Sequence, residues 1–181
     1  MKAWKEAGAL VLTIAVLAVG AGFFSWYTSR PMVLDPAELT QAETVEDYPG
    51  AELSLEVNGS LMELTFSNHS DARLESGASV DGERNLSFGG GLQFLLDGQW
   101  YEVPSEPYAT AGVGLELEPG DSVSGQYSLS PYGQLPDGQY RIAFGYWQKS
   151  PGEKDPLLRQ PYHQSYARFD VESGHYMAPE G

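Results

Sequence analysis

Most of the chain alternates apolar and polar residues with a period of two, the repeat of a strand that buries one face. Leu53, Leu55 and Val57 alternate with Ser54 and Glu56, and Met62, Leu64 and Phe66 alternate with Glu63 and Thr65. Asn58-Gly59 lies between the two runs and is a tight-turn signal, so they read as one β-hairpin. Residues 68–85 are polar, with Leu74 and Val80 as the large aliphatics, and read as a loop or irregular edge. Alternation resumes over residues 86–96, with Leu92, Phe94 and Leu96 on one face. Gly89-Gly90-Gly91 inside that run predicts a bulge or strong bend. Asp97-Gly98 marks a second hairpin turn into residues 99–103. Val113, Leu115 and Leu117 form the next strand, and residues 123–129 follow with Tyr127 and Leu129 inward. Tyr140, Ile142, Phe144 and Tyr146 then share one face, as do Ala167, Phe169 and Val171 in a last strand over residues 164–171. Residues 148–163 read as a long loop between these two strands, and residues 173–181 as a flexible tail.

About eight strands over about 120 residues, with no sustained helical period after residue 30, predict an all-β fold. The count suits an immunoglobulin-like Greek-key β-sandwich of ~7–9 strands. Residues 135–141 support that topology. Pro136-Asp137-Gly138 is a turn that feeds directly into a strand opening with Tyr140, whose hydroxyl is expected to bond back to the turn. Leu135, Gly138 and Tyr140 are therefore expected to be a structural corner.

The first 29 residues break the pattern. Lys2 and Lys5 precede an uncharged, largely apolar run over residues 7–29, long enough for a spanning helix of ~20 residues. Trp26 and Tyr27 stand at its far end, where aromatic rings favour the headgroup zone, and the lysines keep the N-terminus in the cytoplasm. The segment reads as an N-terminal transmembrane helix that makes a single-pass cell-membrane protein with an extracytoplasmic C-terminal domain. Small residues at Ala18, Gly20 and Ala21 offer the alternative of a cleaved signal segment and a secreted domain. Residues 30–50, rich in acids and bearing Pro31, Pro36 and Pro49, read as a stalk, which leaves residues 51–172 for the sandwich.

Composition narrows the partners. The net charge is −15, and Glu6 is the sole acid before residue 30, so the acidity belongs to the domain. Such a surface repels phosphate and argues against nucleic acid. With no cysteine, disulfides, thiolate chemistry and Cys-based metal sites are excluded. His69, His163 and His175 show no metal-ligand spacing, and Asp81, Glu83, Glu116, Glu118 and Asp121 lack the alternation of a calcium loop. No serine stands in a nucleophile elbow, and no catalytic residue, cofactor or metal site is expected. Trp100, in a strand, is expected in the core.

Several segments in order resemble a family of bacterial Ig-like domains found in exported or membrane-anchored proteins of Gram-positive bacteria. They are Phe66-Ser67-Asn68-His69-Ser70, Leu96-Asp97-Gly98-Gln99-Trp100-Tyr101-Glu102-Val103-Pro104, Leu117-Glu118-Pro119-Gly120-Asp121-Ser122 and Tyr132 through Ile142. The resemblance covers roughly residues 50–172 and implies a sandwich with no shared reaction. The expected role is a non-enzymatic, membrane-tethered interaction domain that meets an envelope protein or wall polymer. The candidate contact lies at Trp147, which faces away from Ile142 and Phe144, and in the loop that follows, where Lys149, Lys154 and Arg159 gather. The same loop supports an alternative, a proteinase inhibitor with one of those basic residues as its specificity determinant.

Overall fold

The computed structural model describes residues 32–179, except residues 36, 44, 46, 47, 59, 60, 81–84, 106–110 and 150–160. The apolar segment 7–29 lies outside the described residues. Among those described, no helix is long and apolar enough to cross a membrane.

The first hairpin forms from strands β1 (Ala51–Asn58) and β2 (Leu61–Asn68), in a register that pairs Leu53 with Phe66 and Asn58 with Leu61. Alternation puts Met62, Leu64 and Phe66 fully inside. After β2 come β3 (Arg73–Val80), β4 (Leu86–Phe88), β5 (Gly91–Leu96), β6 (Gln99–Glu102), β7 (Ala111–Leu117), β8 (Ser122–Ser128), β9 (Gly138–Lys149), β10 (Tyr162–Glu172) and β11 (His175–Met177). The turn between β5 and β6 has positive φ at both Asp97 (50°) and Gly98 (79°), the geometry an Asp-Gly hairpin favours.

One layer runs β1-β2-β8. The other is centred on β9, which pairs with β10 along one side and with β5 and then β3 along the other. β6 extends β5, and β7 extends β3. β4 joins the layers, antiparallel to β3 and parallel to β8 through the pair Ser87 and Gln126. Because β1 also packs against β10, the sheet curls into a barrel-like sandwich. Phe66, Phe88, Phe144 and Tyr146 meet at its centre, with ring centroids of Phe66 and Phe88 each 5.0 Å from that of Phe144.

Three features differ from the sequence expectation. Residues 68–85 contain a full strand, β3, which the pattern hides because its buried residues after Leu74 are the small Ala78 and the polar Ser79. The run 86–96 is two strands. The chain leaves β4 for β5 at Gly89 and Gly90, where Gly90 has φ of 156° and a Cβ would sit 2.8 Å from the Ala143 carbonyl. The tail folds back as β11 through a tight turn at Ser173 and Gly174, and Tyr176 reaches Phe169.

Residues 40–42 and Tyr48, expected in a stalk, instead dress the sandwich. Ala42 N–H donates to the Trp100 carbonyl and Glu102 N–H to the Thr40 carbonyl, both at 2.8 Å, so this stretch lies along β6 as one more edge. Ala42 is buried, and the Tyr48 ring stacks on His163 at 4.8 Å.

The corner before β9 closes as Tyr140 Oη donates to the Pro136 carbonyl at 2.8 Å. Tyr140 lies between Phe94 and Phe169, and a Cβ on Gly138 would strike the Phe94 ring. Burial pushes the Tyr140 hydroxyl well above the usual phenol pKa, with Tyr176 and Asp137 adding in the same direction. Leu135 is buried beneath.

Candidate functional site

The neighbours of β9 change partway along it. β5 pairs with residues 140–143 and β3 with residues 146–149, so at Phe144 and Gly145 one side of β9 has no strand partner. Ser76 Oγ donates to the Gly145 carbonyl there at 2.6 Å, which satisfies the backbone without closing the gap. The result is a groove of about 350 Å³. Its surroundings include Gly77 of β3, the glycines of the β4–β5 joint and Gly145 of β9. A Cβ on Gly145 would collide with the Tyr162 ring, so this glycine lets Tyr162 lie against the strand.

Trp147 and Tyr162, opposite each other in the β9–β10 register, form one end of the groove with ring centroids 5.3 Å apart. Each is 44% exposed, unusual for large aromatics in a domain whose other rings are mostly inside. The β5–β6 end carries Gln93 and Glu102. Gln93 Nε2 donates to Glu102 Oε1 at 2.7 Å, and Arg141 Nε donates to Gln93 Oε1 at 2.6 Å. Arg141 is held in turn between two rings, with its guanidinium carbon 4.3 Å from the Trp100 centroid and 3.9 Å from that of Tyr166. Burial draws the Arg141 pKa down, against the pull of the nearby Tyr166. Cation–π contact on both faces offsets the missing water, so the ion stays charged although nearly sealed. Trp100 is thus half-buried on the outer face under Arg141 and not in the inter-layer core, which corrects the sequence expectation.

Of the residues singled out from the sequence, Trp147 stands at the groove. Lys149 lies two positions on, but its Nζ is 2.6 Å from Glu75 Oε1, an oxygen that also receives Arg73 Nη2 at 3.0 Å. Arg73 pairs further with Glu116 and Glu118, so these charges are engaged with one another. Lys154 and Arg159 lie outside the described residues, as does most of the 148–163 loop on which the inhibitor alternative rests. What adjoins Trp147 is the Tyr162 ring, Glu75 directly opposite on β3, and polar groups that line the groove. The alternation read from Gln164 onward leaves Tyr162 out of the last strand, which begins at Tyr162. Extending the period of Tyr166 and Gln164 by one step reaches Tyr162 on the same outward face.

The histidines are dispersed. His69 is exposed beside Glu52 at 3.2 Å, His163 stacks on Tyr48 and tilts against Tyr146, and His175 sits on β11. Among the described residues no three His, Cys, Asp or Glu side chains gather as metal ligands. Asn68 is fully buried. Its amide donates to the Ala72 and Leu117 carbonyls, and its Oδ1 accepts from Ser70, which fastens the end of β2 to the end of β7.

Two facing layers of mainly antiparallel strands, with a tyrosine bonded back across the turn that opens a central strand, define an immunoglobulin-like sandwich. The model of the bacterial Ig-like domain family matches residues 51–155, and the chain belongs to that family. The match takes in β1 through β9 and ends before β10, so Trp147 lies inside it and Tyr162 beyond it. No curated protein and no solved structure matches the chain. Domains of this family are generally non-catalytic binding modules.

Proposed function

We propose that the chain is a non-enzymatic interaction module displayed outside the cytoplasmic membrane, tethered by residues 7–29, with the Trp147–Tyr162 end of the groove as its contact surface. The observation that carries this reading is the exposed aromatic pair at the gap between β5 and β3. Exposed aromatic side chains beside a cleft are the usual anchors of recognition surfaces. The apolar run after Lys2 and Lys5 supports the tether and its orientation. The partner is an envelope protein or wall polymer; the charge of −15 disfavours nucleic acid.

A photoreactive amino acid at position 147 of the full chain, activated in intact cells, tests the contact surface. It is expected to crosslink an envelope component that the same group at exposed Leu61 does not capture. Equal capture from both positions removes the assignment. Alkaline carbonate extraction with external protease tests the tether: the chain should stay in the membrane fraction while its domain is cleaved from outside. Recovery of a shortened, freely soluble form would show that residues 7–29 are removed.

A further inference from the structure

The composition of the groove narrows what it accepts. We infer that it binds a short stretch of a neutral carbohydrate chain. The inference rests on the reading above, that the Trp147 face is the contact surface, and adds the chemical class of the ligand.

Four properties point the same way. The first is the pairing of Trp147 and Tyr162, both nearly half exposed, at one end. A sugar ring has an apolar C–H face that lies well on an aromatic π face, because the slightly positive C–H edges meet the negative ring face. The second is the set of hydrogen-bonding groups. Gln164, Ser76 and Glu102 line the groove and together donate and accept, as vicinal hydroxyls require, with the buried Gln93 behind Glu102. They are held in place: Arg141 fixes Gln93 and Gln93 fixes Glu102, while Tyr166 Oη donates to Gln164 Oε1 at 2.8 Å. A pre-ordered amide or carboxylate loses little rotamer freedom when a ligand arrives.

The third property is charge. Among the described residues no Lys, Arg or His lines the groove, and the one ionised side chain there is the Glu102 carboxylate. The nearby cations among the described residues are occupied, Arg141 between its two rings and Lys149 by Glu75. A phosphate-, sulfate- or uronate-bearing polymer would therefore bring a second negative charge to a site that offers it no partner. A purely apolar ligand fits no better, since the lining is more polar than apolar. The fourth is shape. Backbone at Gly77, Gly89, Gly90, Gly91 and Gly145 leaves the groove without protruding side chains, so a flat ring can approach the chain closely. The volume of about 350 Å³ is at the low end for small-ligand sites, so part of an oligosaccharide fits and the rest runs over the edge.

Gly77 provides a test that leaves the fold alone. It is exposed in the middle of β3, and a Cβ there meets nothing within 4 Å. Gly77→Leu should project into the groove and block it, and its Cβ meets no neighbour. The full chain in a sugar-free detergent is titrated calorimetrically with neutral tetrasaccharides (chitotetraose, cellotetraose, maltotetraose), with tetragalacturonate and a proline-rich decapeptide as comparators. The expected result is binding of at least one neutral tetrasaccharide, weakened roughly ten-fold or more by Trp147→Ala and abolished by Gly77→Leu, at an unchanged melting temperature. The inference is overturned if no neutral tetrasaccharide binds, if binding survives Gly77→Leu, or if tetragalacturonate or the peptide occupies the groove instead. Should the position-147 crosslink to an envelope protein persist while all saccharides fail, the ligand class falls and the interaction module stands. Should both fail, both fall.

Discussion

Along β9, Tyr140, Ile142, Phe144 and Tyr146 point between the layers and are essentially sealed, while Arg141, Ala143, Gly145 and Trp147 point outward. The two faces share one backbone and differ in everything else. The inner face carries large, mostly aromatic side chains and is buried along its whole length. The outer face is graded: Arg141 is covered by Trp100 and Tyr166, Gly145 is partly covered by the Tyr162 ring, and Trp147 is 44% exposed. The strand does not set this gradient. It is set by the neighbours, because β5 and β6 cover the first half of β9 and give way to β3 at Gly145. The inner face therefore holds the fold and the outer face is free to vary along its length, so core and contact surface can occupy consecutive residues.

Four substitutions would break or sharpen that contrast. Phe144→Ala removes a ring that touches both Phe66 and Phe88 and should lower unfolding stability by about 3–5 kcal/mol in urea titrations. A loss under about 1 kcal/mol would mean that the inner face is not the core. Arg141→Leu should cost about 2 kcal/mol, from the lost double cation–π contact and the unpaired Gln93 carbonyl. A neutral or stabilising outcome would place the first half of the outer face with ordinary solvent-facing positions.

Tyr140→Phe deletes one buried hydrogen bond and should cost ~0.5–1.5 kcal/mol near neutral pH. Its pH dependence has a definite sign. The folded-state pKa is raised, so the stability contributed by the protonated phenol is fully present below pH ~10. It is lost as pH climbs above that value, because the unfolded chain ionises and the folded one resists. The variant should therefore lose less stability between pH 9 and about 11 than the parent, followed by the urea midpoint. Equal slopes would deny Tyr140 its buried, protonated state. The smallest effect on stability is expected for Trp147→Ala, within about 0.5 kcal/mol, while the position-147 contact disappears. A large destabilisation would turn Trp147 into a packing residue and erase the contrast at its open end.

The inner face was legible in the sequence because its signal is local. A period of two over Leu53 to Phe66 and over Tyr140 to Tyr146, with turn residues between runs, is enough to place strands and their buried sides. The outer face was only half legible. Trp147 could be assigned to it by parity, but Lys149 is held by Glu75, 74 positions earlier, and no local pattern reveals such a partner. Tyr162 reaches Trp147 across the loop between β9 and β10, whose pairing register the alternation of either strand alone does not fix. β3 escaped because Ala78 and Ser79 carry too little apolar surface to register as a buried face. The groove itself arises from the exchange of β5 for β3 beside β9, a property of topology that no single segment encodes.

The edge made by residues 40–42 along β6 also has a mechanical meaning. A load applied to the chain ahead of Thr40 first meets the two short backbone bonds to Trp100 and Glu102, and only afterwards the β1–β2 hairpin. With only two backbone bonds, that short seam would part under tension while Phe66, Phe88 and Phe144 remain packed together.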